Sequence, residues 1–132
     1  MTFYIDKKKF KCDVGTNRKK LIIKSMPNNY EVKFMKRAIL REFINNNCNN
    51  VIIIDSFIKK NHLGYINSSL PVLEINAKES NKNIDTALNI VNFFEKIKVT
   101  KLNKVIVIGG GILQDLGAFA CSMYKRGIPW AY

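Results

Sequence analysis

An α/β fold is what this 132-residue sequence predicts, and three observations predict it. Two unbroken β-branched runs, VIIID at residues 51–55 and VIVI at 105–108, have the pattern of strands covered on both faces, as in parallel sheets. Helical periodicity fills the intervals between strand candidates, and that alternation builds right-handed βαβ units. The balance of 47% apolar and 24% charged residues is globular, and the chain is long enough to bury one core. The expected architecture is a Rossmann-like parallel sheet flanked by helices, with an N-terminal β-ribbon, in one domain over residues 1–132.

Residues 1–15 alternate loosely at Phe3, Ile5, Phe10, Cys12 and Val14 and end at Gly15, which suits a short antiparallel hairpin or edge ribbon. LIIKS at 21–25 is a strand candidate, and Pro27, Asn28 and Asn29 form a loop. From Glu31 to about Asn46, Val32, Met35, Ile39 and Phe43 recur at intervals of three and four, predicting an amphipathic helix. After strand VIIID come a helical turn at Ser56 to Asn61 and a loop around Gly64. PVLEI at 71–75 is another strand, and Ile84, Leu88, Val91, Phe94 and Ile97 mark one face of a helix from about Asn81 to Lys98. Beyond strand VIVI, Ile112, Leu116, Phe119, Ala120 and Met123 line a further helix, and Pro129 to Tyr132 begin an extended segment.

A formal charge of +12 points first to an anionic partner, but the basic residues are scattered and no arginine stripe with interleaved aromatics appears. A nucleic-acid surface is therefore not expected. Cys12, Cys48 and Cys121 are odd in number and lack CxxC spacing, so neither a disulfide framework nor a zinc knuckle is indicated. The N-terminus has no apolar core of a leader, and no run is long enough for a membrane span. The expectation is a cytoplasmic chain with no membrane partner.

The strongest local feature is strand, glycine triplet, helix. At the carboxyl edge of a parallel strand, Gly109, Gly110 and Gly111 let a ligand approach the backbone, and the next helix offers unpaired N–H groups and a positive dipole end to a phosphate. Asp115, in the first turn of that helix, can accept hydrogen bonds from a ribose or serve simply as a helix-start acid. Asp55 ends a buried strand, where such sheets face ligands, and by itself it reads first as the N-cap of the next turn. Glu79 and Lys82 follow strand PVLEI one turn apart if helical, and alone they read as a solvated ion pair. His62, the only histidine, sits in a polar stretch with no metal-ligand companions.

In order, these positions resemble the 3-dehydroquinate synthase family. GGGILQDLGAFACSMYKRGI, residues 109–128, follows the family pattern of a glycine triplet, an Asp, a Phe, and a Tyr then Arg-Gly at the far end, here Asp115, Phe119, Tyr124, Arg126 and Gly127. KESNK resembles the family's Gly-Glu-x-x-Lys element, with Lys78 in place of the glycine, and VIIIDSF resembles the strand that opens the cofactor site.

The resemblance implies NAD as cofactor. Asp55 would bind the adenosine ribose with Ser56 and Phe57 beside it, and Glu79 and Lys82 would also hold the dinucleotide. Gly110, Gly111 and Ile112, with Gly109 before them, would meet the pyrophosphate, and Asp115 a ribose. Arg126 would reach the substrate phosphate in a neighbouring subunit, which implies a homodimer. The implied reaction converts 3-deoxy-arabino-heptulosonate 7-phosphate, a phosphorylated keto-acid sugar, to 3-dehydroquinate with loss of phosphate, in the shikimate route to aromatic amino acids. A divalent metal, zinc or cobalt, would be held by a helical C-terminal domain absent from this chain. The chain would then be an N-terminal fragment or natural truncation, inactive alone. The alternatives are another sugar-phosphate cyclase, a related metal-dependent alcohol or glycerol dehydrogenase, and a non-catalytic nucleotide- or RNA-binding module.

Overall fold

A computed structural model describes residues 2–5, 8–11, 20–24, 26, 29–34, 42–44, 48–62 and 69–132. The chain divides into two compact units, residues 1–40 and 41–132. In the first, β1 (Thr2–Ile5) pairs antiparallel with β2 (Lys8–Lys11), the ribbon expected from the sequence. Also in that unit, β3 (Lys20–Ile23) pairs antiparallel with β4 (Tyr30–Lys33).

The second pairing corrects the helix expected from Glu31 to Asn46. YEVK is a strand: Leu21 lies opposite Val32 and Ile23 opposite Tyr30, while Glu31, opposite Ile22, bridges Lys20 on the diagonal at 2.7 Å and Lys33 on its own strand at 3.0 Å, offsetting the like charges of the facing Lys20–Lys33 pair. Residues 42–44 are helical, and residues 35–41 and 45–47 lie outside the described residues, as do Gly15, Pro27, Asn28 and the loop around Gly64.

The second unit holds a four-stranded parallel sheet ordered β6-β5-β7-β8, built from β5 (Asn50–Asp55), β6 (Val72–Ile75), β7 (Lys104–Ile108) and β8 (Trp130–Ala131). Three helices connect the strands in order: α1 (Ser56–His62), α2 (Ile84–Lys96) and α3 (Gly111–Met123). The first connection runs from β5 outward to β6, and the other two step in the opposite direction, to β7 and then β8. With right-handed crossovers that reversal puts α1 on one face and α2 and α3 on the other. Both faces of the central strands are accordingly buried. Val51, Ile53, Val105 and Val107 join the α2–α3 core, while Ile52, Ile54 and Ile106 are buried outside it.

The helices bury part of the stripes expected, Phe94, Leu116 and Ala120 with Val91, Ile97 and Ile112 packed against the core, and turn the rest outward. In α2 the buried residues are Ala87, Ile90 and Phe94, while Ile84 and Leu88 are 56% and 49% exposed. In α3 they are Leu113, Leu116, Gly117, Ala120 and Cys121, and Phe119 and Met123 face outward. GILQDLGAFACSM is apolar around most of its circumference, so apolarity alone cannot select the inward face. Size selects it. A Cβ on Gly117 would lie 2.6 Å from Val107 Cγ2, so the smallest residues face the sheet and let helix and strand close together.

Asn50, a buried polar residue, starts the sheet by donating to the Ile44 carbonyl at 3.0 Å. At the opposite helix ends, Tyr124 lies 5.5 Å from Phe94 between ring centroids and donates its hydroxyl to Glu95 Oε2 at 2.9 Å.

Candidate functional site

The sheet reverses its winding between β5 and β7, and open α/β sheets bind ligands in the crevice outside the carboxyl ends of the strands at such a point. Ile54 pairs with Ile108, so Asp55 and Gly109 emerge side by side from the two central strands. The sequence candidates Asp55, Ser56 and Phe57 thus meet Gly109, Gly110, Gly111 and Ile112 at one edge.

Each glycine of the triplet has its own physical status. A Cβ at Gly109 would lie 2.8 Å from Leu113 Cδ2, so its smallness serves packing. Around Gly110 and Gly111 an added Cβ would find nothing within 4 Å, and neither has the positive φ that favours glycine. Neither packing nor backbone strain in the protein demands these two glycines. They keep clear the space over the first turn of α3, where Gly110 is the N-cap and no side chain caps the helix. Among the described residues the Gly110 and Gly111 amides donate no hydrogen bond, as is usual for a helix start awaiting water or an anion.

Asp55 Oδ1 accepts the Phe57 amide at 2.9 Å, so one carboxylate oxygen caps α1, as the simpler reading of this residue held. Glu79 opens a 3-10 turn, Glu79–Asn81, whose last bond runs from the Lys82 amide to the Glu79 carbonyl at 3.0 Å. The side chain of Lys82 takes a different partner from the one its spacing suggested. Its Nζ lies 2.8 Å from Asp115 Oδ2, joining the approach to α2 with α3, where Asp115 sits just past the first turn in which the sequence placed it. The hydrogen bond to Asp115 and that carboxylate's charge, with a smaller contribution from Glu79, hold the Lys82 ammonium above its ordinary pKa. Both partners are open to solvent, so an entering phosphate or ribose can exchange with the pair. A shallow groove of about 340 Å³ lies beside it, lined by Lys82, Asn83, Ile84 and Ala87 on one side and Asp115, Leu116 and Phe119 on the other.

Arg126 stands apart. It follows α3 at the end opposite the glycines, roughly 20 Å away by the helical rise. Its backbone is left-handed (φ 62), between Lys125 (φ 47) and Gly127 (φ 99). The fold does not bring Arg126 to the glycine edge. His62 ends α1 with its ring edge-on to Phe57. Among the described residues no group of three His, Cys, Asp or Glu is placed to hold a metal ion, and no helix is long and apolar enough to cross a membrane.

Two residues of the edge escaped sequence reasoning. Gly117 sets the close approach of α3 to β7. The Tyr132 hydroxyl donates to the Gly109 carbonyl at 2.9 Å across the mouth of the glycine turn. A glycine at the second turn of a helix following a strand signals the first, and nothing local signals the second.

Residues 72–132 match the family described as 3-dehydroquinate synthase N-terminal, a stretch that takes in Glu79, Lys82, the glycine triplet, Asp115 and Arg126 and leaves out Asp55. The chain is 34% identical over 85 residues to the 3-dehydroquinate synthase of Helicobacter pylori (strain G27), covering 61% of this chain and 25% of that protein. It is 28% identical over 87 residues to the 2-epi-valiolone synthase of Actinosynnema mirum, covering 61% and 23%. A solved 2-epi-5-epi-valiolone synthase from Streptomyces hygroscopicus subsp. jinggangensis 5008, with NAD+ and Zn2+ bound, superposes with a TM-score of 0.55 at 26% identity over 61% of this chain and 25% of that one. A 2-deoxy-scyllo-inosose synthase complexed with carbaglucose-6-phosphate, NAD+ and Co2+ superposes at 0.67 over 84% of this chain and 33% of that one; at 18% identity it speaks for the fold alone. The chain spans about a quarter of the length of these curated relatives.

Proposed function

We propose, on the premise that residues 72–132 match the 3-dehydroquinate synthase N-terminal family, that this chain supplies the NAD-binding part of a sugar-phosphate cyclase. The observation that carries the reading is the pair of glycines, Gly110 and Gly111, which the protein's own packing leaves unexplained at a topological switch point. A dinucleotide fits them. Its pyrophosphate would lie over the start of α3, where backbone amides and the helix dipole favour negative charge. Asp115 and Lys82 would exchange their mutual bond for contacts to a ribose hydroxyl and a phosphate oxygen, with Glu79 and Ile112 alongside. Asp55 would keep Oδ1 on its own cap and offer Oδ2 to the adenosine ribose, beside Ser56 and Phe57.

When bound, NAD supplies reversible removal of a hydride from a substrate hydroxyl, and the protein supplies binding and orientation. In this reading the substrate is 3-deoxy-arabino-heptulosonate 7-phosphate and the product 3-dehydroquinate, in the shikimate route, in the cytoplasm. A zinc or cobalt ion would be held by groups other than those assigned here. Arg126, remote from the glycine edge of its own chain, would serve the substrate phosphate of a second copy in a homodimer. Its guanidinium suits that ligand through bidentate hydrogen bonds.

Titration calorimetry with NAD tests the cofactor claim. Saturable binding that weakens about tenfold in Gly111→Val supports it, and no heat or an unaffected variant refutes it. In a protein that joins this chain to the groups that hold the metal, phosphate release on addition of NAD, Zn2+ or Co2+ and the seven-carbon keto-acid phosphate tests the finer claim. Release only from another sugar phosphate would assign the chain to a different cyclase.

A further inference from the structure

Gly109 has a carbonyl that the helix does not use. The first α3 bond runs from the Gln114 amide to the Gly110 carbonyl at 3.0 Å, so the Gly109 oxygen lies one residue outside the ladder. Among the described residues its partner is the Tyr132 hydroxyl, at 2.9 Å. Parallel pairing of Ile106 with Ala131 carries Tyr132 to the carboxyl edge, one step past the end of β8. Tyr132 is 56% exposed and outside the hydrophobic core, so burial does not account for its position.

The bond constrains more than one atom. In a trans peptide the carbonyl of one residue and the N–H of the next lie in one plane and point in opposite directions. Fixing the Gly109 carbonyl therefore fixes the direction of the Gly110 amide. A peptide between two glycines is the one most free to turn over, since neither residue has a Cβ to bar the mirror conformations. Gly109 is held on its other side by Leu113, against which even a Cβ would not fit. Resting on the cofactor reading above, we propose that Tyr132 is a positioning residue that locks the Gly109–Gly110 peptide plane and so aims the Gly110 amide at the phosphate of the bound dinucleotide.

Tyr132→Phe in the full 132-residue chain removes the donor and keeps the ring. The dissociation constant for NAD should rise about fivefold, the size of one ordinary hydrogen bond, while the melting temperature stays within about 2 °C. In the ligand-free protein the Gly110 amide resonance should shift and its hydrogen exchange accelerate, with the Val105–Ile108 amides unchanged. Tyr132→Ala should lose no more affinity than Tyr132→Phe. An unmoved Gly110 resonance in Tyr132→Phe, or a loss confined to Tyr132→Ala, overturns the lock and transfers any role to the ring. If the parent chain fails to bind NAD the cofactor reading falls, and the ligand-free Gly110 resonance still decides whether Tyr132 sets the peptide plane.

Discussion

A methyl group added to Gly117 would sit 2.6 Å from Val107 Cγ2, whereas one added to Gly110 or Gly111 would touch nothing within 4 Å. Gly117 therefore serves packing, whereas packing does not require Gly110 or Gly111, which serve access in the function proposed above, and substitution should separate the roles. Gly117→Ala is expected to destabilise the protein by about 1–3 kcal/mol, the usual cost of overpacking a helix–sheet contact, read as a lower denaturation midpoint. Gly111→Ala should leave stability unchanged or raise it by up to about 1 kcal/mol, since alanine is the better helix former, and should weaken NAD binding. A Gly111→Ala variant that melts early would show that the space over α3 belongs to the protein rather than to a ligand. Sequence reading recognised the triplet because glycines after a β-branched strand have few other uses. It could not see the Lys82–Asp115 and Tyr132–Gly109 contacts, which join residues far apart in the chain.

The helices hold the edge in place, and their ends can be tested separately. Asn83 caps α2 by accepting the Thr86 amide at 2.9 Å, and Asn83→Ala should cost about 1 kcal/mol in thermal or urea unfolding. Cys121, buried in α3 against the core, has its thiol pushed up to about 12 by desolvation, above the ordinary 9.0. In the unfolded chain the thiol ionises first, so unfolding gains favour as pH rises. This contribution to stability is complete below about pH 9 and is lost as pH climbs toward about 12. Cys121→Ala should flatten the alkaline limb of a stability–pH curve, and an unchanged limb would assign the loss to other groups. Tyr124 acts in the same direction, its phenol raised by burial and by the hydrogen bond to Glu95.

Elements differed in how far the sequence disclosed them. VIIID and VIVI were legible because an unbroken β-branched run bounded by loop residues admits few other structures. YEVK was not. Val32 fits a helical period with Met35 as well as it fits a strand period, and only pairing with KLII decides between them. The inward faces of α2 and α3 were read only in part, Phe94, Leu116 and Ala120 correctly and Ile84, Leu88, Phe119 and Met123 not, because apolar residues occur on both sides of each helix. In α3 the side that faces the sheet is marked by a small residue, Gly117, and its close approach to Val107.

At the scale of the whole molecule, strand order brings separate motifs to one edge of the sheet. Asp55, Glu79, Lys82, the glycine triplet and Asp115 come from three successive strand–helix connections, and the β6-β5-β7-β8 order gathers all of them on one edge. The surplus of positive charge, +12, offers a rival anionic partner. The two differ in salt dependence. Raising salt from about 50 to about 200 mM should lower NAD affinity by less than about tenfold, whereas a surface built for nucleic acid would lose roughly 10³- to 10⁵-fold. Binding that collapses with salt would favour the nucleic-acid alternative.

The most direct test of the central claim, that the glycine turn at the switch point is a dinucleotide site, is an amide-resolved NMR titration of the chain with NAD. Shifts should concentrate at Gly109 to Ile112 and Asp115, with Asp55 to Phe57 and Lys82 following, while the Arg126 end of α3 stays unmoved. Saturable binding that leaves the Gly110 and Gly111 amides in place would contradict it.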